Sequence, residues 1–220
     1  MKKLFVFLLL LPCLEVAAQQ RQVHDLFNGT DLTGWYKFLG TQGLNHDPEV
    51  VFTVQEGVIK ATGKEFGYIA TEAIYENFHL SLEFKWGEKK YPPRENEKRD
   101  AGILFFTDAT SDKIWPQSLE CQIQEGDVGD LWLIDSATAV VNGIRTIPNN
   151  YTRVEKNRDN ELPHGSWNLV EVIADDGKFT FKVNGVVVNE GESPSIHSGR
   201  IVLQSEGAEV YYRNINISEL

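Results

Sequence analysis

Between Ser118 and Gln124 the chain places Glu120, Gln122 and Gln124 at every second residue, with Leu119, Cys121 and Ile123 between them. Period-two alternation predicts a strand with one face toward a core and the other carrying a polar ladder. Side chains two apart on a strand stand about 7 Å from each other, so Glu120 and Gln122 can touch one sugar-sized ligand. Glu125, Asp127 and Asp130 follow closely. Retaining glycoside hydrolysis needs two carboxyl groups about 5–5.5 Å apart, and sandwich enzymes often set them at i and i+4 on one strand. Here the i+4 position is Gln124, an amide, so ordinary two-carboxylate hydrolysis is not supported on this strand. Glu125 points to the opposite face by one residue and does not replace it.

Several other chemistries lack their motifs. There is no glycine-rich phosphate loop and no Gly-x-Ser-x-Gly elbow, and no nucleotide or organic cofactor is expected. The five histidines, His24, His46, His79, His164 and His197, show no i, i+4 pairing, so a local zinc motif is missing. A divalent cation held by carboxylates and histidines from separate strands remains the one cofactor that the acidic residues could support.

The elements needed to position this strand are all β. Phe78, Leu80, Leu82, Phe84 and Trp86 alternate with His79, Ser81, Glu83 and Lys85, predicting a strand whose polar face is either solvated or ligand-lining. A charged segment, Gly87 to Asp100, reads as a long loop delivering the chain into a strand at Gly102–Thr107, with Asp100 at its mouth. Leu131–Ile134, Trp167–Ala174, Arg200–Gln204 and Glu209–Ile217 read as further strands. Residues 51–61 form a hairpin around Gln55-Glu56-Gly57, Gly67–Thr71 a short strand, and Arg145 to Pro163 a second long loop. Asn184-Gly185 joins Lys178–Val183 to Val186–Asn189 in a type I′ hairpin. Eleven or twelve short strands and no amphipathic helix predict an all-β fold, a two-sheet antiparallel sandwich of jelly-roll type.

Residues 1–18 have the lysines, apolar run and small residues of a secretory signal, cleaved after Ala18, and the run is too short to span a bilayer. Cys13 as a lipid-anchor cysteine is disfavoured by Pro12. Residues 19–220 are expected to be one exported domain, periplasmic or extracellular, with no transmembrane segment. That part carries 19 Lys and Arg against 31 Asp and Glu, a formal charge of −12 that argues against a nucleic-acid partner. Cys121 is its only cysteine, so stability rests on the core rather than on disulfides.

The segments LFNGTDLTGW, NFHLSLEFKW, RDAGILFF, SLECQIQEGDVGDLW, SWNLVEV, the VNG hairpin, GRIVLQSEG and YYRNINISEL occur in one order along the chain. Together they resemble the 3-keto-disaccharide hydrolase domain family. The resemblance implies a concanavalin A-like jelly roll and an exported bacterial protein that acts on 3-keto-glycosides, made by a separate oxidoreductase that oxidises the sugar 3-hydroxyl. It matches Glu83 and Lys85 to the family's acidic and basic pair, Glu120 and Gln122 to its Glu-x-Gln, and Arg213-Asn214 to a closing pair of structural character. Asp100 stands where many members have Asn, and Glu206 where many have His.

A ketone at C3 acidifies the C2 hydrogen, so a base can form an enolate that expels the C1 oxygen, and water can then add back. In this reading Glu120 is the base or a metal ligand, Lys85 or a cation stabilises the enolate, and Asp100 is a further catalytic group. Gln122, Gln124, Glu83, Asp130 and Trp132 bind sugar, and His79 and Glu206 hold the metal. The alternatives are a non-catalytic carbohydrate-binding module, with Trp115 or Trp132 as a stacking platform, and a lectin-like structural partner.

Overall fold

The computed structural model describes residues 22–108, 110 and 112–220. The secretory-signal expectation and Cys13 lie outside these residues. Among the described residues there are strands and no helix, and no helix is long and apolar enough to cross a membrane.

Two antiparallel sheets, of ten and eight strands, pack face to face. The ten-stranded sheet centres on Phe78–Lys90, flanked by Asn168–Asp175 and Ala208–Glu219. Across the eight-stranded sheet run Tyr151–Val154, Leu131–Ile134, Ser118–Gln122, Gly102–Thr107, Arg200–Ser205, Gly67–Thr71, Trp35–Leu39 and Gly43–Leu44, in that spatial order. Hairpin neighbours alternate with pairings between strands far apart in sequence, such as Arg200–Ser205 with Gly67–Thr71 and Phe78–Lys90 with Ala208–Glu219, as in a jelly roll.

The core lies between the sheets. Phe78, Leu80, Leu82, Phe84 and Trp86 meet Ile103, Phe105, Leu119, Cys121 and Leu203, all buried. Each such large apolar side chain contributes about 1.5–3 kcal/mol by leaving water. Trp35 is also core, and its indole donates to the Leu26 carbonyl oxygen at 2.7 Å. Asn184 and Gly185 both have positive φ, 49° and 79°, as the type I′ hairpin demands.

Two loop expectations are corrected. The strand beginning at Phe78 continues to Lys90, because its pairing with the Ala208–Glu219 strand extends past Trp86 into the charged segment. Within 145–163, Tyr151–Val154 forms an edge strand on Leu131–Ile134, and its weak alternation reflects exposure on that edge.

The eight-stranded sheet is unusual in that its outward face is also largely buried. Tyr68, Ala70, Leu104, Ile134 and Val202 form a second apolar cluster there, with Tyr36, Phe38, Trp115 and Trp132 packed against it. Glu120 sits on this face, paired in register with Leu104 on one side and Trp132 on the other.

Candidate functional site

On the outward face of the eight-stranded sheet a cavity of about 530 Å³ is lined at one end by Arg94, Asp100, Glu120, Gln122, Gln124, Gln204 and Glu206. At the other end stand Trp115, Trp132, Ile134 and Tyr151. A polar end opening onto an aromatic wall is the usual form of a small-molecule site.

The polar end is assembled from three places in the chain. The Ser118–Gln122 strand supplies Glu120 and Gln122, and Asp100 precedes the Gly102–Thr107 strand. Glu206 follows Arg200–Ser205. Arg94 arrives from the loop after Lys90, which is folded back by turns. The Tyr91 N–H donates to the Gly207 carbonyl oxygen at 2.8 Å, and the Arg94 N–H to the Tyr91 carbonyl oxygen at 2.9 Å. At the loop's far end Arg99 binds Glu125, and Lys98 binds Asp127. The loop thereby sets the Arg94 guanidinium between two carboxylates, Asp100 and Glu206, the latter at 2.8 Å.

Charge is out of balance here, with three carboxyl groups facing one guanidinium. Burial pushes the Asp100 carboxyl up, and Arg94 and a 2.7 Å hydrogen bond from the Gln124 amide pull it back. Burial and the Asp100 charge raise Glu206 to about 8 against the opposing pull of Arg94. Glu120 is raised well above the ordinary range by burial, then by Glu206 and Asp100, and no cation or hydrogen bond relieves it. Burial thus favours the neutral form of all three, but Arg94 opposes it at Asp100 and Glu206 and nothing opposes it at Glu120. Separation of this kind divides acid from base among like groups.

Two further atoms are free for a ligand. Asp100 Oδ1 is buried without a partner among the described residues. Gln122 Oε1 accepts the backbone N–H groups of Ile123 and Gln124 at 3.0 and 3.2 Å, which turns its NH₂ toward other acceptors.

Of the residues expected from sequence, Asp100, Glu120, Gln122, Gln124, Trp132 and Glu206 come together here. The others stand elsewhere. Asp130 is buried beneath a different network, accepting from Arg153 at 2.6 Å and from the Lys156 N–H at 2.9 Å. His79, Glu83 and Lys85 belong to the ten-stranded sheet, on its outward face. His79 pairs with Glu171 at 2.8 Å, and Glu83 accepts from Arg213 at 2.8 Å and from Asn214. Lys85 lies over the rings of Trp167 and Tyr211 at 4.9 and 5.4 Å. These three share one strand face with one another, but the core separates them from Glu120.

A divalent ion does not suit the pocket. His79 is on the wrong sheet, Arg94 already stands between Asp100 and Glu206, and no group of three His, Cys, Asp or Glu side chains able to hold a metal forms among the described residues.

Sequence reasoning missed Arg94, Gln204 and Tyr151 as lining residues. Arg94 had one signal, since a buried acidic strand calls for a cation and the adjacent loop is rich in them. Gln204 stood out as a polar residue in the apolar run Ile201–Leu203, on the face opposite Leu203.

A family model described as the 3-keto-alpha-glucoside-1,2-lyase-like domain matches residues 22–218. No curated protein matches the chain. Among solved structures, a Parabacteroides distasonis protein with a provisional glycosyl hydrolase assignment is 21% identical, with 90% of this chain and 94% of that chain covered and a TM-score of 0.63. A carbohydrate-binding module from Bacillus subtilis is 10% identical, covering 84% and 96%, with a TM-score of 0.59. A β-glucanase from Bacillus licheniformis is 11% identical, covering 93% and 100%, at 0.55. At these identities the likeness is one of fold, and it places the sandwich with the concanavalin-like jelly rolls.

Proposed function

Because this chain belongs to the 3-keto-alpha-glucoside-1,2-lyase-like domain family, we propose that it cleaves 3-keto-glycosides by elimination across C1 and C2 in the pocket of Asp100, Glu120 and Glu206. The coarse function is carbohydrate chemistry. The observation that carries the finer reading is the set of three carboxyl groups with a single guanidinium, in which burial pushes Glu120 toward its neutral form with no cation against it, while Glu206, raised to about 8, is held by Arg94.

Elimination needs a base at C2, an acid for the departing C1 oxygen, and a donor at the C3 oxygen, where negative charge develops. The sequence pointed to Glu120 as the base, but its surroundings favour the neutral form, which suits it to give a proton rather than take one. Glu206 is the better base. A general base works best with a pKa near the working pH, and Glu206 lies at about 8 and is held in place by Arg94.

In the proposed step Glu206 removes the C2 hydrogen, the electron pair forms the C1–C2 double bond, and the C1–O bond breaks as Glu120 protonates the leaving oxygen. The free NH₂ of Gln122 donates to the C3 oxygen, and Asp100 Oδ1 accepts a sugar hydroxyl. Water then adds across C1–C2: its oxygen bonds to C1 as Glu120 takes back a proton from it, and Glu206, its proton exchanged with solvent, protonates C2, leaving the free 3-keto sugar for net hydrolysis. Trp115, Trp132 and Tyr151 hold the leaving half of the substrate against the aromatic wall. A separate sugar 3-oxidoreductase supplies the substrate, and the protein acts after export.

Incubation with a glycoside and with its 3-keto derivative tests this. Cleavage of the keto form alone supports the elimination. Binding of either sugar without turnover would instead make the domain a carbohydrate-binding module.

A further inference from the structure

Gln204 lines the pocket but has no part in the steps above. The Gly102–Thr107 strand lies between Ser118–Gln122 and Arg200–Ser205, with Gly102 opposite Gln122 and Ile103 opposite Leu203. Continued by one residue, that register brings Gln204 beside Gly102. A glycine inside a strand marks a close approach by something else. Here two side chains lean into the space from either side: Oε1 of Glu120 and Oε1 of Gln204, the latter 2.5 Å from where a Cβ at residue 102 would stand. Gln204 is 2% exposed, and this oxygen has no hydrogen-bond partner among the described residues.

Two buried lone-pair oxygens bordering the same small space are unfavourable unless a hydrogen is shared there. A neutral carboxyl carries that hydrogen, and an amide oxygen can only accept it. We propose that Gln204 is a positioning residue whose amide oxygen accepts the Glu120 carboxyl proton, holding Glu120 neutral until a substrate oxygen replaces Gln204 as acceptor.

Asp100 Oδ1 is also an unpartnered acceptor in the pocket, but Gln204 Oε1 is the one that shares the space at Gly102 with Glu120 Oε1, and the other groups around Glu120 are engaged or unable to serve. Arg94 is taken by Asp100 and Glu206, and the charges of both carboxyls oppose ionisation of Glu120. The Tyr212 hydroxyl, from the Ala208–Glu219 strand, donates to the Gln204 carbonyl oxygen at 3.0 Å, which pins the backbone at residue 204. Cys121 turns into the core, and Trp132, opposite in register, brings no acceptor. Gly102 then has a function of its own, since any Cβ there would collide with both oxygens.

This inference rests on Glu120 as the acid of the proposed reaction and adds what keeps it so. Infrared difference titration of the substrate-free protein tests it, with Glu120→Gln assigning the band of the protonated carboxyl. In wild type that band persists above neutral pH. In Gln204→Met, close in size but without an acceptor, the neutral form loses its partner, so the midpoint falls by about one pH unit, a tenfold change in the protonation equilibrium. Burial acting alone predicts the opposite, because methionine makes the site no less apolar. A midpoint unchanged or raised in Gln204→Met overturns the proposal, and a rise is also what an amide NH₂ facing the carboxylate would give. Gln204→Asn, which withdraws the oxygen by one methylene, should lower the midpoint as well, and no shift there counts equally against it. No Glu120 band at neutral pH in wild type overturns it outright. No substrate enters the measurement, so the result stands whether or not 3-keto-glycosides are cleaved.

Discussion

Glu206→Gln should make the protein more stable as pH rises, while removing its activity. The Glu206 side chain is 14% exposed, and burial with the Asp100 charge raises its pKa from an ordinary 4.5 to about 8. Between these values the folded protein binds a proton that the unfolded chain has released. The stabilisation linked to that proton is complete below about pH 4.5 and is lost as pH rises through about 8. A shift of about 3.5 units corresponds to at most about 5 kcal/mol, a large part of the stability of a domain. Glutamine has the shape of the neutral carboxyl and does not titrate, and Asp100 still neutralises Arg94. The two unfolding free energies should therefore be close near pH 5 and diverge in favour of the variant toward pH 9. Urea unfolding at fixed ionic strength, with m constant, reads this directly. Parallel stability curves across that range, or a variant that is weaker at pH 9, would refute the charge accounting for the pocket.

Glu120→Gln should lower turnover of a 3-keto-glycoside by about 10²–10⁴-fold with the fold intact, checked by steady-state kinetics and melting. His79→Gln and Lys85→Met lie beyond the core from the pocket, so kinetics should stay within about twofold of wild type, and each half-buried pair should cost about 1 kcal/mol of stability. A large loss of activity in either would relocate the site. Because the donor set does not fit a divalent ion, exhaustive chelation should leave turnover unchanged. Activity lost on chelation and restored by added metal would contradict that.

The sandwich was legible because its signals are local. Alternation from Phe78 to Trp86 and the Asn184-Gly185 turn each depend on a few neighbouring residues and form as the pattern predicts, and the Glu120 strand forms as well but ends at Gln122, two residues short of the expected Gln124. The ends of Phe78–Lys90 and the edge strand Tyr151–Val154 were not legible, since pairing with a distant strand decides them. The site was half legible for the same reason. Residues on the Glu120 strand could be grouped by their shared face, but alternation says nothing of which sheet a strand joins, so His79, Glu83 and Lys85 were expected beside Glu120 and stand across the core from it. Arg94 and Gln204 reach the pocket from a loop and from a strand paired across Gly102, contacts that only the folded chain makes. The role of Glu120 turned on burial. A ladder read as polar and accessible proves nearly enclosed, and enclosure changes a carboxyl from proton acceptor to donor.

The most direct test follows the C2 hydrogen. In D₂O, NMR of a 3-keto-glycoside with wild-type protein should show deuterium entering C2 of the product, and Glu206→Gln should abolish both incorporation and cleavage. The unoxidised glycoside should show neither reaction. Cleavage of the keto sugar without deuterium at C2, or comparable cleavage of the unoxidised glycoside, would contradict elimination and the division of labour between Glu206 and Glu120.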